Sequence, residues 1–307
     1  MAAGPTGRRD VITARRSTAA TLAQRASTAI PQALDKIGRD ASLALYRELA
    51  LAPKPGLVSF RDSGSHTDMD AHTFVRSIFA LRSYFPAIAN AGANAAPFAE
   101  LEALGIRAEL RMLAGTAGIN THRGAIFTLG LLCAAAGRLI ATGQAIGPET
   151  LRAKLDEHWG DALRERAARA AAAPPRSAGQ RAARACGLRC ASDEAADAFP
   201  VLFEVTLPAL RTASSLVDDP AHALVHALFA TIAVLDDTNL AHRGGIEGLR
   251  DAQSQASEFL AAGSVFRGHW RAHADAVHQS FVARRLSPGG AADMIACAWW
   301  LHAVSCP

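Results

Sequence analysis

Apolar residues recur every three or four positions along most of the chain, which is the spacing of one face of an α-helix. One such segment follows Asp70, a residue suited to cap a helix, and precedes Pro86, a residue suited to end one. Its apolar positions are Phe74, Ile78, Leu81 and Phe85. Further segments with this spacing cover 101–113, 126–140, 220–235 and 291–304. Strict alternation is rare, so the pattern predicts an all-α fold: a single helical bundle-like domain with its cleft formed by interhelical loops.

The first thirty residues break this pattern, because their apolar periodicity is weak and five arginines stand among Ala, Ser and Thr with a single acid, Asp10. Transit peptides share that composition, but a flexible basic arm explains it equally well and is favoured here. We therefore expect an arm over 1–35 and one all-α domain over 36–307. The clearest loop, 171–180, contains Pro174 and Pro175 and is expected to join two halves of the bundle.

Composition narrows the class of protein. Half of the residues are hydrophobic and a fifth are charged, which excludes general disorder. The 32 basic and 28 acidic residues are interleaved, which argues against a nucleic-acid binder. The five cysteines suggest free thiols in a reducing cytoplasm rather than disulfides or zinc. No apolar run reaches the roughly 18 residues of a membrane span, so we expect neither a membrane anchor nor export.

Four segments place polar residues beside glycine, and these are the candidate sites. The first, 53–70, is a Pro-Gly loop that carries Lys54, Gly56, His66 and Asp68, although such a loop is often only a connection. The second runs from Glu109 to Gly124. There, glycines and a helix N-terminus suit a phosphate, but Asn120 or Thr121 could simply cap the helix.

The third segment, 236–245, begins with Asp236 and Asp237, which we place at the C-terminus of a helix. Two carboxylates are unfavourable there, and Mg²⁺ bound together with substrate phosphates would offset the cost. Alternatively, Asp237 or Asn239 caps the next helix and Arg243 pairs with the acids. The Asn-x-His-Arg-Gly sequence at 120 and the Asn-x-x-His-Arg-Gly sequence at 239 suggest two half-sites facing one cleft, with chance a serious competitor.

The fourth segment contains Ser287, Gly289 and Gly290 ahead of a helix with Asp293 in its first turn. Its backbone amides could bind phosphate, or it could be an ordinary helix cap. His222 and His226 stand four apart, but we expect packed or surface histidines rather than zinc ligands.

Together these segments resemble the triphosphoribosyl-dephospho-CoA synthase family over about 45–296. The resemblance rests on P-K-P-G-L-V at 53–58, G-S-H-T-D-M-D at 64–70, T-A-G-I-N-T-H-R-G-A-I-F at 116–127, D-D-T-N-L-A-H-R-G-G at 236–245 and S-P-G-G-A-A-D at 287–293. Ser59 and Asp62 are similar to the branch that serves malonate decarboxylase rather than citrate lyase. The chain departs from the family near Arg189 and Glu194, which are therefore not chosen as site residues, and at Ser264.

The resemblance implies transfer of the 5-triphosphoribosyl group of ATP to the ribose 2′-hydroxyl of 3′-dephospho-CoA, with release of adenine. Breaking an N-glycosidic bond builds oxocarbenium character, which carboxylates and proton carriers stabilise. We expect catalytic roles for Glu109, Asp68, His66 and His122, and metal binding by Asp236 and Asp237. Substrate binding is expected for Lys54, Gly56, Asn120, Thr121, Arg123, Gly124, Thr238, Asn239, His242, Arg243, Ser287, Gly289 and Gly290.

The implied partners are ATP, Mg²⁺, 3′-dephospho-CoA and a carrier-protein transferase that takes over the product. Whether the chain forms a homo-oligomer is left open. Two other classes compete with the transferase: a Mg²⁺-dependent hydrolase of N-glycosidic, ADP-ribosyl-type bonds, and a noncatalytic nucleotide-binding partner.

Overall fold

The computed structural model describes residues 7–175 and 177–305, with side chains from residue 29 onward. Its helices are α1 (Gly7–Ala50), α2 (Ala71–Leu81), α3 (Tyr84–Ala93), α4 (Phe98–Gly115), α5 (Arg123–Ala141), α6 (Pro148–Ala172), α7 (Ala178–Cys186), α8 (Ala191–Ala196), α9 (Leu207–Ser214), α10 (Pro220–Ile232), α11 (Thr238–Ala261), α12 (Trp270–Ala283) and α13 (Gly289–Ser305). A π-helical turn covers Leu202–Thr206 and a 3₁₀ turn covers Ser264–Phe266. Those described residues contain no β-strand, so the predicted all-α fold is confirmed.

Helix α5 lies in the middle of the core and packs against α1, α3, α6 and α13. The contact with α3 is especially close, since a Cβ added at Gly137 would stand 1.9 Å from the Ala89 carbonyl oxygen. α5 is long and apolar enough to cross a membrane, but 72% of that stretch is buried inside the protein. Its apolar character is therefore that of a core helix.

Three predicted boundaries are wrong. α2 ends at Leu81 and α3 begins at Tyr84, so Pro86 lies in the first turn of a new helix, where its missing N–H costs nothing. α10 stops at Ile232 instead of reaching 235. The loop predicted over 171–180 is shorter, because α6 continues to Ala172 and Ser177 caps α7 by accepting the Gln180 amide hydrogen.

The first helix crosses the predicted limit of the N-terminal arm. α1 begins at Gly7 and runs through Pro31, while Leu34 and Ile37 are already buried in the core. The indole Nε1 of Trp300 in α13 donates to the Ile37 carbonyl at 3.2 Å. The last helix therefore packs on the first, and the flexibility of residues 1–35 stays a prediction.

Candidate active site

A cavity of about 760 Å³ lies where the N-termini of α5, α11 and α13 meet. Residues from all four polar segments line it, so the predicted convergence of those segments on one cleft is observed. The predicted site residues on its wall are His66, Asp68, Asn120, Thr121, His122, Arg123, Gly124, Asp236, Asp237, Thr238, Asn239, His242, Arg243, Ser287, Gly289 and Gly290. Three helix N-termini concentrate backbone amides and positive dipole ends here, which suits a polyphosphate.

Lys54, Gly56 and Glu109 do not line this cavity. The Lys54 ammonium is buried and bonded to the carboxylate of Glu48 (Nζ–Oε1, 2.6 Å), which does reach the cavity wall. Burial lowers the pKa of Lys54, and Glu48 opposes that shift. Lys54 is therefore placed to hold Glu48 at the wall.

Gly56 has a packing role. Its φ is +64°, and a Cβ there would lie 2.1 Å from the Leu286 carbonyl oxygen. The same carbonyl accepts a 2.5 Å hydrogen bond from Ser65 Oγ. These contacts fasten the 53–70 loop to the turn that precedes α13.

His66 links three of the polar segments. Its Nδ1 lies 3.0 Å from Nη2 of Arg243 and its Nε2 lies 2.9 Å from the Ser287 hydroxyl. Because a guanidinium only donates, Nδ1 must accept and Nε2 carries the hydrogen. Burial and Arg243 lower the pKa of His66, while the exposed carboxylate of Asp68, 3.5 Å from Nδ1, opposes the shift. The ring is thus held as a neutral bridge.

His122 belongs to a second chain of hydrogen bonds. Thr121 Oγ1 donates to Ser77 Oγ at 2.7 Å, and that hydroxyl lies 2.6 Å from His122 Nδ1. With the Thr121 hydrogen occupying one side of the serine oxygen, Ser77 donates to Nδ1, which leaves the hydrogen on Nε2. Nε2 is buried, on a residue only 3% exposed, and has no hydrogen-bond partner in the protein. Burial, reinforced by Lys54, lowers the pKa of His122 to about 3.

The placement of Asp236 and Asp237 at a helix C-terminus is wrong. Because α10 ends at Ile232, the two acids lie at the start of α11, where the helix dipole favours them. Asp237 caps α11 by accepting from the amide of Asn239 at 2.9 Å, so the alternative of an N-cap is confirmed. Its second oxygen accepts from the amide of Ala291 at 3.0 Å. Burial raises the pKa of Asp237, against the effect of these amides.

Arg243 does not pair with these acids among the described contacts. Its guanidinium donates to the carbonyls of Ser65 and Arg285 as well as facing His66. The cap predicted before α5 comes partly from Asn120, whose side-chain oxygen accepts from the Arg123 amide at 3.2 Å. The two similar His-Arg-Gly sequences both reach the cavity, but at different helix positions: His122 is the N-cap of α5, whereas His242 lies inside α11.

Two further acids on the wall are missed by the sequence reasoning: Glu48 and Asp293. Burial raises the pKa of Asp293 well above its usual range, reinforced by Glu48 and Asp237 and opposed by the Ala125 amide. A Cβ at Gly124 would lie 1.9 Å from an Asp293 carboxylate oxygen, so this glycine admits Asp293 rather than a ligand. Asp293 ends the Ser-Pro-Gly-Gly segment, which is a usable signal. Glu48 has no such signal.

Arg189 and Glu194, which the sequence reasoning left out, also line the cavity. The Arg189 amide donates to Asp236 Oδ2 at 3.0 Å, and its guanidinium lies 3.3 Å from Glu194 and 2.6 Å from Asp197. This segment therefore closes the cavity over α11. Because this segment departs from the family pattern, the sequence did not indicate that it lies at the cavity.

No group of three or more His, Cys, Asp or Glu side chains able to hold a metal occurs in the described part of the chain. His222 and His226 contact Arg271 and Ser264, and Cys186 and Cys190 form no disulfide, while the expectation that none of them binds zinc stays a prediction. A magnesium ion held mainly by substrate phosphates still fits, since it needs only one or two carboxylates. Asp236 suits that role better than Asp237, whose two oxygens both accept from helix amides.

Comparisons with known proteins identify the family of this chain. Residues 34–306 match the family described as ATP:dephospho-CoA triphosphoribosyl transferase. A probable 2-(5''-triphosphoribosyl)-3'-dephosphocoenzyme-A synthase of Acinetobacter calcoaceticus is 37% identical over 83% of this chain and 86% of its own length. A probable synthase of the same name from Citrobacter koseri is 37% identical over 91% and 94%.

The 2-(5''-triphosphoribosyl)-3'-dephosphocoenzyme-A synthase of Pectobacterium atrosepticum is also 37% identical, over 84% of this chain and 86% of its own length. No solved structure matches. The family match spans nearly all of the described residues, including the three helix N-termini that border the cavity. The chain therefore belongs to the triphosphoribosyl-dephospho-CoA synthase family of transferases.

Proposed function

We propose that this chain acts in the cytoplasm to make the prosthetic-group precursor for the acyl carrier protein of malonate decarboxylase. It would transfer the 5-triphosphoribosyl group of ATP to the ribose 2′-hydroxyl of 3′-dephospho-CoA, releasing adenine, and pass the product to a carrier-protein transferase. The observation that carries the proposal is the meeting of three helix N-termini at one cavity, because such ends bind phosphate groups.

The reaction breaks the bond between ribose C1′ of ATP and adenine N9, and forms a bond from C1′ to the acceptor 2′-oxygen. Adenine leaves with the bonding electrons and takes up a proton, while the acceptor hydroxyl loses one. Asp68 is proposed as the base, because its carboxylate is 58% exposed at the cavity and His66 is its nearest ionisable neighbour. Asp293 is proposed as the acid, because its raised pKa keeps a proton available.

The two histidines expected to act in catalysis receive narrower roles. His66 uses both ring nitrogens to join Arg243 and Ser287, so it is proposed to position Arg243. His122 presents a neutral Nε2–H inside the protein, which suits a hydrogen bond to the substrate better than proton uptake. Glu109 is proposed to hold Arg123, whose Nε lies 2.6 Å from its carboxylate.

Binding of the triphosphate is proposed to rest on Arg123, Arg243 and the amides of α5, α11 and α13. Asp236 is proposed to hold Mg²⁺ together with the phosphates. When bound, the ion supplies positive charge that neutralises the polyphosphate.

The assignment to the malonate decarboxylase branch is supported by the contacts of Asp62 in its turn. Its backbone oxygen accepts from the Ser59 amide at 2.9 Å, and its carboxylate accepts from the Gly64 amide and lies 3.3 Å from His278 Nε2. An asparagine at 62, which the citrate lyase branch tends to carry, would not give His278 a charged partner. The turn is thus built around the residue on which the branch assignment depends.

The reaction is tested by incubating the purified chain with ATP, Mg²⁺ and 3′-dephospho-CoA and measuring free adenine. We expect adenine release that depends on the acceptor, with CoA a poor substitute because its 3′-phosphate adds about two negative charges beside the attacking hydroxyl. Rapid adenine release from ATP alone would identify a hydrolase instead. Binding of ATP without any adenine release would support the noncatalytic alternative.

The branch needs a genetic test, because the small-molecule product is the same for both carriers. We expect that deleting the gene in its own organism abolishes growth on malonate and that the wild-type gene restores it. Unimpaired growth on malonate, with loss of citrate lyase activity, would contradict the assignment.

A further inference from the structure

A second cavity, of about 440 Å³, adjoins the first one, and we propose that it binds the pantetheine arm of 3′-dephospho-CoA. This inference rests on the proposed function and assigns one part of one substrate to a place in the protein. Its volume lies within the roughly 300–1,000 Å³ typical of small-molecule sites. We call it the arm cavity.

The walls of the arm cavity suit a neutral chain that carries both apolar groups and amides. Apolar side chains from α3, α4 and α5 contribute to its lining, namely Ile88, Phe98, Leu101, Ile106, Ile126 and Leu131. Two carboxylates, Glu102 and Glu109, also border it. They can accept hydrogen bonds from the amide N–H groups of a pantetheine arm, but they would repel a phosphate.

The two cavities meet at a pair of arginines. Arg123, Phe127, Arg166, Ser177 and Gln180 line both of them. The Arg166 guanidinium stacks at 4.4 Å on the Phe127 ring, and its Nε lies 3.1 Å from the Glu102 carboxylate. Arg123 is held in the same way by Glu109, with Nε 2.6 Å from Oε1. The carboxylates of the arm cavity thus fix both arginines at the junction.

The order of these parts matches the order of groups in 3′-dephospho-CoA. The substrate consists of an adenosine, a pyrophosphate and a pantetheine arm. The protein offers a cavity bordered by helix N-termini, then two arginines, then a cavity that combines apolar side chains with two carboxylates. Arg166, which is not among the residues proposed to hold the triphosphate, is well suited to bind the pyrophosphate between the two halves. In ATP the triphosphate is one end of the molecule, so nothing extends past it, whereas the pantetheine arm of the acceptor continues beyond the pyrophosphate. The compartment on the far side of the arginines is therefore assigned to the acceptor.

Gly105 allows the assignment to be tested. It lines the arm cavity on α4, and a Cβ added there would lie 3.6 Å from Tyr84 Oη and 3.9 Å from Ile126 Cγ2, which is ordinary contact. Gly105→Leu therefore fills the cavity from a tolerated position, whereas Gly105→Ala is a matched control that leaves it open. Ile106→Trp, at a residue 55% exposed on the same cavity, provides a second filling variant should the leucine variant fail to fold.

The experiment measures binding of 3′-dephospho-CoA, ADP and ATP to each variant by calorimetry, and KM for both substrates by adenine release. ADP is the acceptor nucleotide without its arm. We expect the wild type and Gly105→Ala to bind 3′-dephospho-CoA about tenfold or more tightly than ADP, and Gly105→Leu to lose that preference. KM for 3′-dephospho-CoA should rise by the same factor while KM for ATP stays within about twofold.

Three results would overturn the assignment. Equal binding of ADP and 3′-dephospho-CoA by the wild type would show that the arm has no pocket. A preference kept by both filling variants would place the arm elsewhere, and weaker ATP binding in Gly105→Leu would assign the cavity to ATP. Because binding is measured without turnover, a wild type that binds the arm but releases no adenine would refute the proposed reaction and leave the cavity assignment standing.

Discussion

Two of the histidines that line the cavity, His66 and His122, differ from the free bases that their residue type suggests. His66 has partners on both ring nitrogens, and His122 is buried with only Nδ1 bonded. Both have a lowered pKa, and for both the largest cause is burial. The site therefore uses neutral imidazoles, which give a hydrogen bond of fixed direction without adding charge beside the phosphates.

The lowered pKa of His122 predicts a loss of stability in acid. The unfolded chain takes up a proton near pH 6.5 but the folded chain only near pH 3, so stability is complete above about pH 6.5 and falls by about 1.4 kcal/mol per pH unit below it. We expect the free energy of unfolding to drop about 1 kcal/mol more in the wild type than in His122→Phe between pH 7.5 and pH 5.5. Urea unfolding measures this, and equal losses would show that His122 takes up its proton at the same pH in the folded and the unfolded chain.

The adjacent acids allow a paired prediction. In Asp237→Asn, the side-chain NH2 group would face the buried backbone amide of Ala291. Because both groups donate, the Ala291 amide would lose its acceptor, at a cost of about 1–3 kcal/mol in urea unfolding. Asp236→Asn keeps an oxygen for the Arg189 amide and should leave stability within about 0.5 kcal/mol, while raising the Mg²⁺ concentration needed for adenine release. Unchanged Mg²⁺ dependence in Asp236→Asn would contradict its proposed metal role.

At the scale of elements, the position of the second His-Arg pair depends on a bend in α11. Gly245 has φ +67° and ψ −170°, which interrupts the helix just after His242 and Arg243. An added Cβ there would meet no atom within 4 Å, so the conformation alone requires glycine. The bend sets how the first turn of α11 faces the cavity.

Gly245→Ala is therefore expected to cost about 1–3 kcal/mol of stability and to lower adenine release, because the strain is relieved by moving Arg243. Gly143→Ala is the matched control. Gly143 also has a positive φ, +66°, and open space around its Cβ, but it lies after α5 and away from both cavities. It should lose about 1 kcal/mol of stability with activity kept. Equal activities in the two variants would show that the bend does not position the site.

Helices with strong periodicity and a capping residue could be predicted from the sequence. Asp70 and Asp219 cap α2 and α10, and the apolar stripe over 126–140 lies in the buried helix α5. The helix boundaries that were predicted wrongly have local causes. Pro86 suits the first turn of a helix as well as the residue after one, and the end of α10 decides whether Asp236 and Asp237 follow a helix or begin one.

The residues of the candidate site, like the helices, could be predicted from the sequence only in part. Residues next to glycine were found because a ligand loop and a close helix contact both need such glycines. Lys54 was expected to bind substrate and Glu109 to act in catalysis, yet the structure pairs each with an opposite charge. Glu48 was missed, since its position at the cavity depends on contacts that only the folded chain brings together, whereas Asp293 belongs to a segment that the sequence had already singled out.

At the scale of the whole molecule, the first and last helices, α1 and α13, pack into the same core. α13 packs on α1 and α5, and its N-terminus supplies Ser287, Gly289 and Gly290 to the cavity. α1 carries Glu48 at its C-terminal end. The first helix thus contributes Glu48 to the cavity wall. It also packs against α13, whose N-terminus forms another part of that wall.

This arrangement predicts where the N-terminal arm can be cut. Deleting 1–28 should leave the free energy of unfolding and the rate of adenine release close to those of the full chain, because Leu34 is the first buried core position among the residues whose side chains are described. Deleting 1–40 removes Leu34, Ile37 and the carbonyl that accepts from Trp300, and two such core side chains together should cost about 4 kcal/mol or more. Urea unfolding and adenine release would be measured on both truncated chains. A large loss from the shorter deletion would show that residues 1–28 belong to the folded domain, since that cut spares every buried contact of α1 named above, and it would move the domain boundary toward the start of the chain.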